Sequence, residues 1–138
     1  NQKEPSIVKI NGVLLKEFPI STFNLWGTEI AFTGGGYFRL FPYSFVSHQM
    51  NLQKYSMTYF HLWDLIPETK RIMTREEYEN YFKENGSLLK RYKRFIKSNL
   101  GTGRAYTKLV KLIKSKKFIS IEEADQIIDW EKVPVVEI

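Results

Sequence analysis

The 138 residues contain no cysteine. That excludes a disulfide framework and any thiolate metal site, and leaves the redox compartment open. Histidine is scarce, with only His48 and His61, so His61 has no second nearby histidine to supply the usual imidazole-rich metal set. No apolar run is long enough to cross a bilayer, and a membrane is not among the expected partners. A Gly-x-Ser-x-Gly elbow and a Walker glycine–lysine loop are both missing, and Gly34-Gly35-Gly36 is not followed by the dinucleotide fingerprint. Internal repeats, low-complexity tracts and a clear linker are missing too. The opening Asn-Gln-Lys-Glu-Pro shows no signal-peptide pattern and reads as the start of a trimmed piece.

What is present is globular composition: 43% hydrophobic and 15% aromatic residues, too apolar for disorder. The length predicts one domain over residues 1–138, large enough to bury a core. The net charge of +6 is uneven. From Lys83 to Lys117 there are twelve lysines and arginines against one acid, Glu84, so the rest of the chain is net negative. Such a stretch can grip a polyanion. It can equally be the solvated side of helices, because apolar residues recur through it at helical spacing.

Ile7–Ile10 and Val13–Pro19 flank Asn11-Gly12, a two-residue hairpin signal, which predicts a hairpin over Ser6–Phe18. Trp26-Gly27 is a turn, and Thr28–Phe32 a short strand entering the glycines. Gly36–Leu40 and Met57–Asp64 read as strands, with a helix opened by Phe41-Pro42-Tyr43 between them. Pro67-Glu68-Thr69-Lys70 is loop. Thr74 caps a short helix over Arg75–Phe82. Leu88, Leu89, Tyr92, Phe95 and Ile96 mark an amphipathic helix ending near Asn99-Leu100-Gly101. Ala105, Tyr106, Leu109, Val110, Leu112 and Ile113 mark the next. Phe118–Ile121 reads as a strand, Glu122–Trp130 as a helix with Ile127 and Ile128 inward, and Val133–Ile138 as a terminal strand. The class is α/β.

Chemistry concentrates between Thr33 and Asp64. Three glycines permit left-handed backbone and close approach by a ligand or another segment. The run Tyr59-Phe60-His61-Leu62-Trp63-Asp64 delivers a histidine, a tryptophan and an acid to a strand end, a common site position in α/β proteins. His61 can serve as general acid or base, or be a packed histidine bonded to a carbonyl; the residues alone leave both open. His48, among polar neighbours, is an ordinary surface residue. His61 and Asp64, three apart on a strand, would point to opposite faces and make no metal pair unless the chain turns there.

Three segments carry a resemblance. They are Val13–Thr22 (Val-Leu-Leu-Lys-Glu-Phe-Pro-Ile-Ser-Thr), Gly34–Tyr43 (Gly-Gly-Gly-Tyr-Phe-Arg-Leu-Phe-Pro-Tyr) and Tyr59–Asp64. In this order they resemble the C-terminal region of one group of polysaccharide deacetylases, with the NodB-homology fold of carbohydrate esterase family four. That group carries Gly-Gly-Gly-Tyr-Phe-Arg-Leu-x-Pro-Tyr and Tyr-Phe-His-Pro-Trp-Glu, followed by a basic helical tail. The resemblance spans about Val13 to Ile121. Leu62 stands where the group has proline, and Asp64 where it has glutamate.

The resemblance implies the C-terminal half of a partial (β/α) barrel, with an N-terminal β-hairpin and a basic helical tail. It implies removal of N-acetyl groups from a glycan with a divalent metal, zinc in the first place, held by an aspartate and two histidines. Those ligands, the aspartate base and an Arg-Ala-Pro-like motif are absent from these residues. The expectation is therefore an inert fragment whose N-terminal catalytic half is missing. The family's late, amine-protonating histidine falls on His61. Tyr37, Arg39, Tyr43 and Trp63 are expected to shape the substrate side, and Arg39 does not match the family's base-supporting arginine. The expected partners are an N-acetylated polysaccharide and the missing half, in a bacterial cytoplasm or cell envelope. An open sheet edge makes a homodimer possible. The rival expectation is a non-enzymatic module that binds carbohydrate through aromatic stacking or a polyanion through the basic helices. Nucleic acid ranks lowest, because the helices show apolar stripes and not aromatic platforms.

Overall fold

The computed structural model describes residues 3–66 and 70–138, so Pro67, Glu68 and Thr69 of the expected loop lie outside the described residues. The chain runs β1 (Ser6–Ile10), β2 (Val13–Glu17), β3 (Phe23–Leu25), β4 (Thr28–Ile30), α1 (Gly35–Leu40), α2 (Tyr43–Leu52), α3 (Leu62–Leu65), α4 (Arg75–Phe82), α5 (Leu88–Asn99), α6 (Thr102–Ser115), α7 (Ile121–Ile127) and β5 (Val135–Glu137). This is a mixed α/β fold in which the named strands form two small sheets.

Both hairpins follow from their turn residues. Ile10 pairs with Val13 across Asn11-Gly12, and Leu25 pairs with Thr28 across Trp26-Gly27. All four turn residues have positive φ: 49° and 81° in the first turn, 49° and 86° in the second. Two positive φ values in a two-residue loop give the primed turn whose twist matches the strands. β5 adds to β1 in parallel, giving the order β2-β1-β5. β2 is left as an edge, and all five of its residues are exposed.

Two expected strands are helical. Gly36–Leu40 lies in α1, and the last residues of Met57–Asp64 form α3. The aromatic run stays extended only far enough for Tyr59 to bridge Gly34 in parallel. Asp64 then accepts a hydrogen bond from the His61 amide (3.0 Å) and starts a helical turn, as an acid three residues into a helix does. Phe118–Ile121 is not a strand either. Ser120 and Glu123 form a capping box, with Ser120 N–H donating to Glu123 Oε2 (2.8 Å) and Glu123 N–H to Ser120 Oγ (3.0 Å). α7 therefore begins at Ile121 and ends at Ile127, short of Trp130. Ile127, expected inward, is 73% exposed.

The core is Phe32, Phe38, Val46, Met50, Ala105 and Leu112, ringed by Phe23, Phe41, Phe45, Phe60, Leu65 and Leu109. Aromatic rings meet edge to face, Phe38 with Phe60 at 4.7 Å and Phe23 with Phe45 at 5.0 Å, the arrangement their quadrupoles favour. α6 packs against α1, α2, α3 and α5 and brings a lysine into this layer. Lys108 is buried, and its ammonium donates to the carbonyls of Phe38, Arg39 and Phe41 at the end of α1. Burial pulls its pKa below the ordinary lysine value. Gly101, just before α6, has φ 77°, and a Cβ there would lie 2.7 Å from Arg39 O, so only glycine fits.

α4 begins in a second capping box. Thr74 N–H donates to Glu77 Oε2 (2.7 Å), Glu77 N–H donates to Thr74 Oγ1 (3.2 Å), and Arg71 grips the same carboxylate with two bonds of 2.9 and 2.6 Å. The Arg71 hydrogen bonds and then the Thr74 amide lower the Glu77 pKa to about 2.

Two outcomes follow. Lys108→Met leaves buried α1 carbonyls unsatisfied and is expected to cost about 1–3 kcal/mol of stability, read as a lower urea midpoint at unchanged slope. Glu77 has a folded pKa below its unfolded value, so its stabilisation is complete above pH about 4.5 and is lost as pH falls through about 2. The Glu77 carboxyl carbon shift, followed by NMR, is expected to titrate near that lower value; titration near 4.5 would contradict the bidentate cap.

Candidate functional site

Segments 33–35 and 57–61 run side by side because buried hydroxyls pin them. Thr33 Oγ1 donates to Met57 O (2.7 Å), and Ser21 Oγ accepts from Met57 N–H (2.9 Å). Gly34 then bridges Tyr59, and Gly35 N–H donates to Tyr59 O (3.2 Å). A Cβ on Gly34 would press to 3.2 Å from that carbonyl, and Gly35 has a left-handed φ of 46°. The glycines therefore serve close backbone approach. The Asp64 carboxylate lies beside Gly35.

His61 is exposed at the start of α3. Its ring stacks on the Trp63 indole, with centroids 4.5 Å apart and planes 16° apart. Tyr59 meets it edge-on at 4.9 Å. Asp64 is only 5% exposed and holds the His61 amide, not the imidazole. The result is an imidazole presented to solvent between two aromatic rings, with its backbone fixed by a buried carboxylate. Tyr59 and Trp63 are about half exposed. Concavities of about 890 and 800 Å³ lie elsewhere, lined by residues such as Tyr81 and by Tyr55 and Phe118 respectively. His61 stands on an open ledge.

The other expected site residues divide. Trp63 is part of the ledge. Tyr37 is exposed on α1 and stacks on Phe41 (6.4 Å, 20°). Arg39 is turned to the end of α5, donating to Ser98 O (2.8 Å) and Lys97 O (3.0 Å). Tyr43 is turned to α6. Its hydroxyl donates to Ser115 Oγ (3.1 Å), and the Lys111 ammonium lies 4.1 Å from its ring centre. The Ser115 contact is the main cause of a lowered Tyr43 pKa. His48 is an exposed residue of α2.

Sequence reasoning passed over Tyr59 as a ring partner and Asp64 as a positioning group. The His-x-x-Asp spacing of an N-cap and its third helical residue was the available signal for Asp64. Among the described residues, no three His, Cys, Asp or Glu side chains converge as metal ligands. No helix of the described residues is long and apolar enough to cross a membrane.

Comparison with known proteins adds one relation. Neither a curated protein nor a solved structure matches the chain. A family model described as "Domain of unknown function (DUF3473)" matches residues 1–126, and the chain belongs to that family.

Proposed function

We propose that the chain is the C-terminal part of a polysaccharide deacetylase. In the complete protein it helps to hydrolyse the N-acetyl C–N bond of a glycan, and alone it is inert. The observation that supports this best is the meeting of the two motif segments: Gly34-Gly35 docks on Tyr59, and the exposed His61 follows two residues later. An imidazole is the side chain suited to general acid work near neutral pH. At this position it would hand a proton to the departing amine nitrogen as the C–N bond breaks. Trp63 and Tyr59 fix the plane of the ring, and Asp64 fixes its backbone. Trp63 and Tyr37 offer apolar faces to a sugar. Arg39 and Tyr43 act behind them, holding α5 and α6 against the segment that carries the site.

The residues present do not fit a divalent metal, since Asp64 is buried on the His61 amide and no ligand cluster forms among the described residues. The metal, its ligands and the water-activating base belong, in this proposal, to an upstream half. The partial (β/α) barrel belongs to the proposal in the same way.

A second reading has its own support. Tyr37, Tyr59 and Trp63 are each about half exposed, as in a sugar-stacking surface of a non-enzymatic module. The two separate cleanly. If the chain is part of a deacetylase, the complete protein releases acetate from an N-acetylated amino-sugar polymer, and His61→Ala lowers kcat by about 10²–10⁴-fold with little change in KM. Absence of acetate release from such polymers, together with salt-insensitive binding of an N-acetylglucosamine oligomer that Trp63→Ala abolishes, would favour the binding module.

A further inference from the structure

α5 carries its apolar stripe on the outside. At 3.6 residues per turn, Leu88, Leu89, Tyr92 and Ile96 share one side of the helix. They are 66, 62, 49 and 41% exposed, and no residue of α5 is buried. The half-buried residues of the helix are Arg91, Arg94, Phe95, Ser98 and Asn99.

The inward arginines are held in place. Arg91 donates to Gly86 O and to Met73 O, both at 2.9 Å. The Arg94 guanidinium lies 4.7 Å from the Phe82 ring centre. Arg39 reaches from α1 to the last carbonyls of the helix. Rolling the stripe inward would break these contacts together. The outward orientation is therefore built in.

Chemistry narrows what covers the stripe. Lys93 and Lys97 stand exposed beside it, and residues 85–121 contain eleven lysines and arginines with no aspartate or glutamate. Leucine, isoleucine and tyrosine need an apolar partner, and the lysines need an anionic one. A second copy meeting this face with its own would set like charges together. Nucleic acid would answer the charge and leave the aliphatic side chains in water. An anionic bilayer surface answers both, and a helix with Leu, Ile and Tyr exposed on one side, lysines beside them and no acid is the kind that lies at such a surface.

We propose that α5 is a membrane-surface helix, seating Leu88, Leu89, Tyr92 and Ile96 among the acyl chains and headgroups of an anionic bilayer, with Lys93 and Lys97 on the phosphates. This departs from the expectation of no membrane partner, which rested on the lack of a spanning run. It is independent of the deacetylase proposal.

The test is co-sedimentation of the whole chain with vesicles of phosphatidylcholine, with and without phosphatidylglycerol. Association is expected only with the anionic vesicles and weakens as salt rises. Lys93→Gln/Lys97→Gln is expected to reduce it about thirtyfold, and Leu89→Ser/Ile96→Ser at least about tenfold. All four positions are exposed, and an unchanged thermal midpoint checks that the variants fold. Any one of three results overturns the proposal: no association with anionic vesicles, association unaltered by Leu89→Ser/Ile96→Ser, or a concentration-dependent dimer that this variant dissolves.

Discussion

The ammonium of Lys108 ties the helical layer together. α1 has six residues, too few to persist on its own hydrogen bonds, and its last carbonyls need donors. Lys108 arrives from the middle of α6 and supplies them at Phe38, Arg39 and Phe41, with the Phe38 ring 4.7 Å beneath the charge. Burying a cation is costly unless it is hydrogen-bonded. Here the downward pull on its pKa is opposed by three acceptors that the charged form alone can fill. A methionine of similar length would pack in the same space and leave those acceptors empty.

Arg39 runs the opposite way, from α1 to the carbonyls that end α5. Two cations thus fasten α1 to α5 and α6, each capping a helix other than its own. Gly101 lets the α5–α6 turn press against the Arg39 backbone where any Cβ would collide. With its C-terminal end fixed, α1 carries Gly34 and Gly35 against Tyr59, and Tyr59 leads to His61 within two residues. Most of the Gly34–Tyr43 motif is accounted for by this framework. Phe38 is core, Arg39 and Tyr43 are ties, and the glycines are clearance. What remains open to chemistry is the short ledge of Tyr59, His61 and Trp63, with Tyr37 exposed on α1.

How much of this could be read from the chain depended on where the deciding interaction lay. Asn11-Gly12 fixes its hairpin through its own backbone, and Thr74 with Glu77 sets the start of α4 from three residues away, so both were legible. Gly36–Leu40 was not. Tyr and Phe favour strands, and the helix end is held by a lysine seventy residues later. Leu62–Leu65 was obscured by the same aromatic bias, although Asp64 gave a local sign. His61 and Trp63 stood out because their types are rare here and they lie two residues apart. Their stacking on one another required α3 to turn, since residues two apart on a strand share a face at a spacing too wide for a 4.5 Å stack.

α5 shows a different limit. Helical periodicity says that a helix has two sides, and it leaves open which side meets the rest of the molecule. The usual choice, apolar side inward, assumes that burial of leucine outweighs everything else. Around α5 the competing partners are strong: carbonyls of Gly86 and Met73 for Arg91, and the face of Phe82 for Arg94. Charge-assisted hydrogen bonds to otherwise unfilled carbonyls are worth about 1.5–3 kcal/mol each, and a leucine side chain gains about 1.5–3 kcal/mol on full burial. The two orientations are therefore close in energy within this chain, and a few arginine contacts suffice to turn the stripe out. Exposing that much apolar surface leaves a standing free-energy gain for whatever covers it. The side chains that hold the helix in this orientation are thus also what gives its outer face an affinity for a partner.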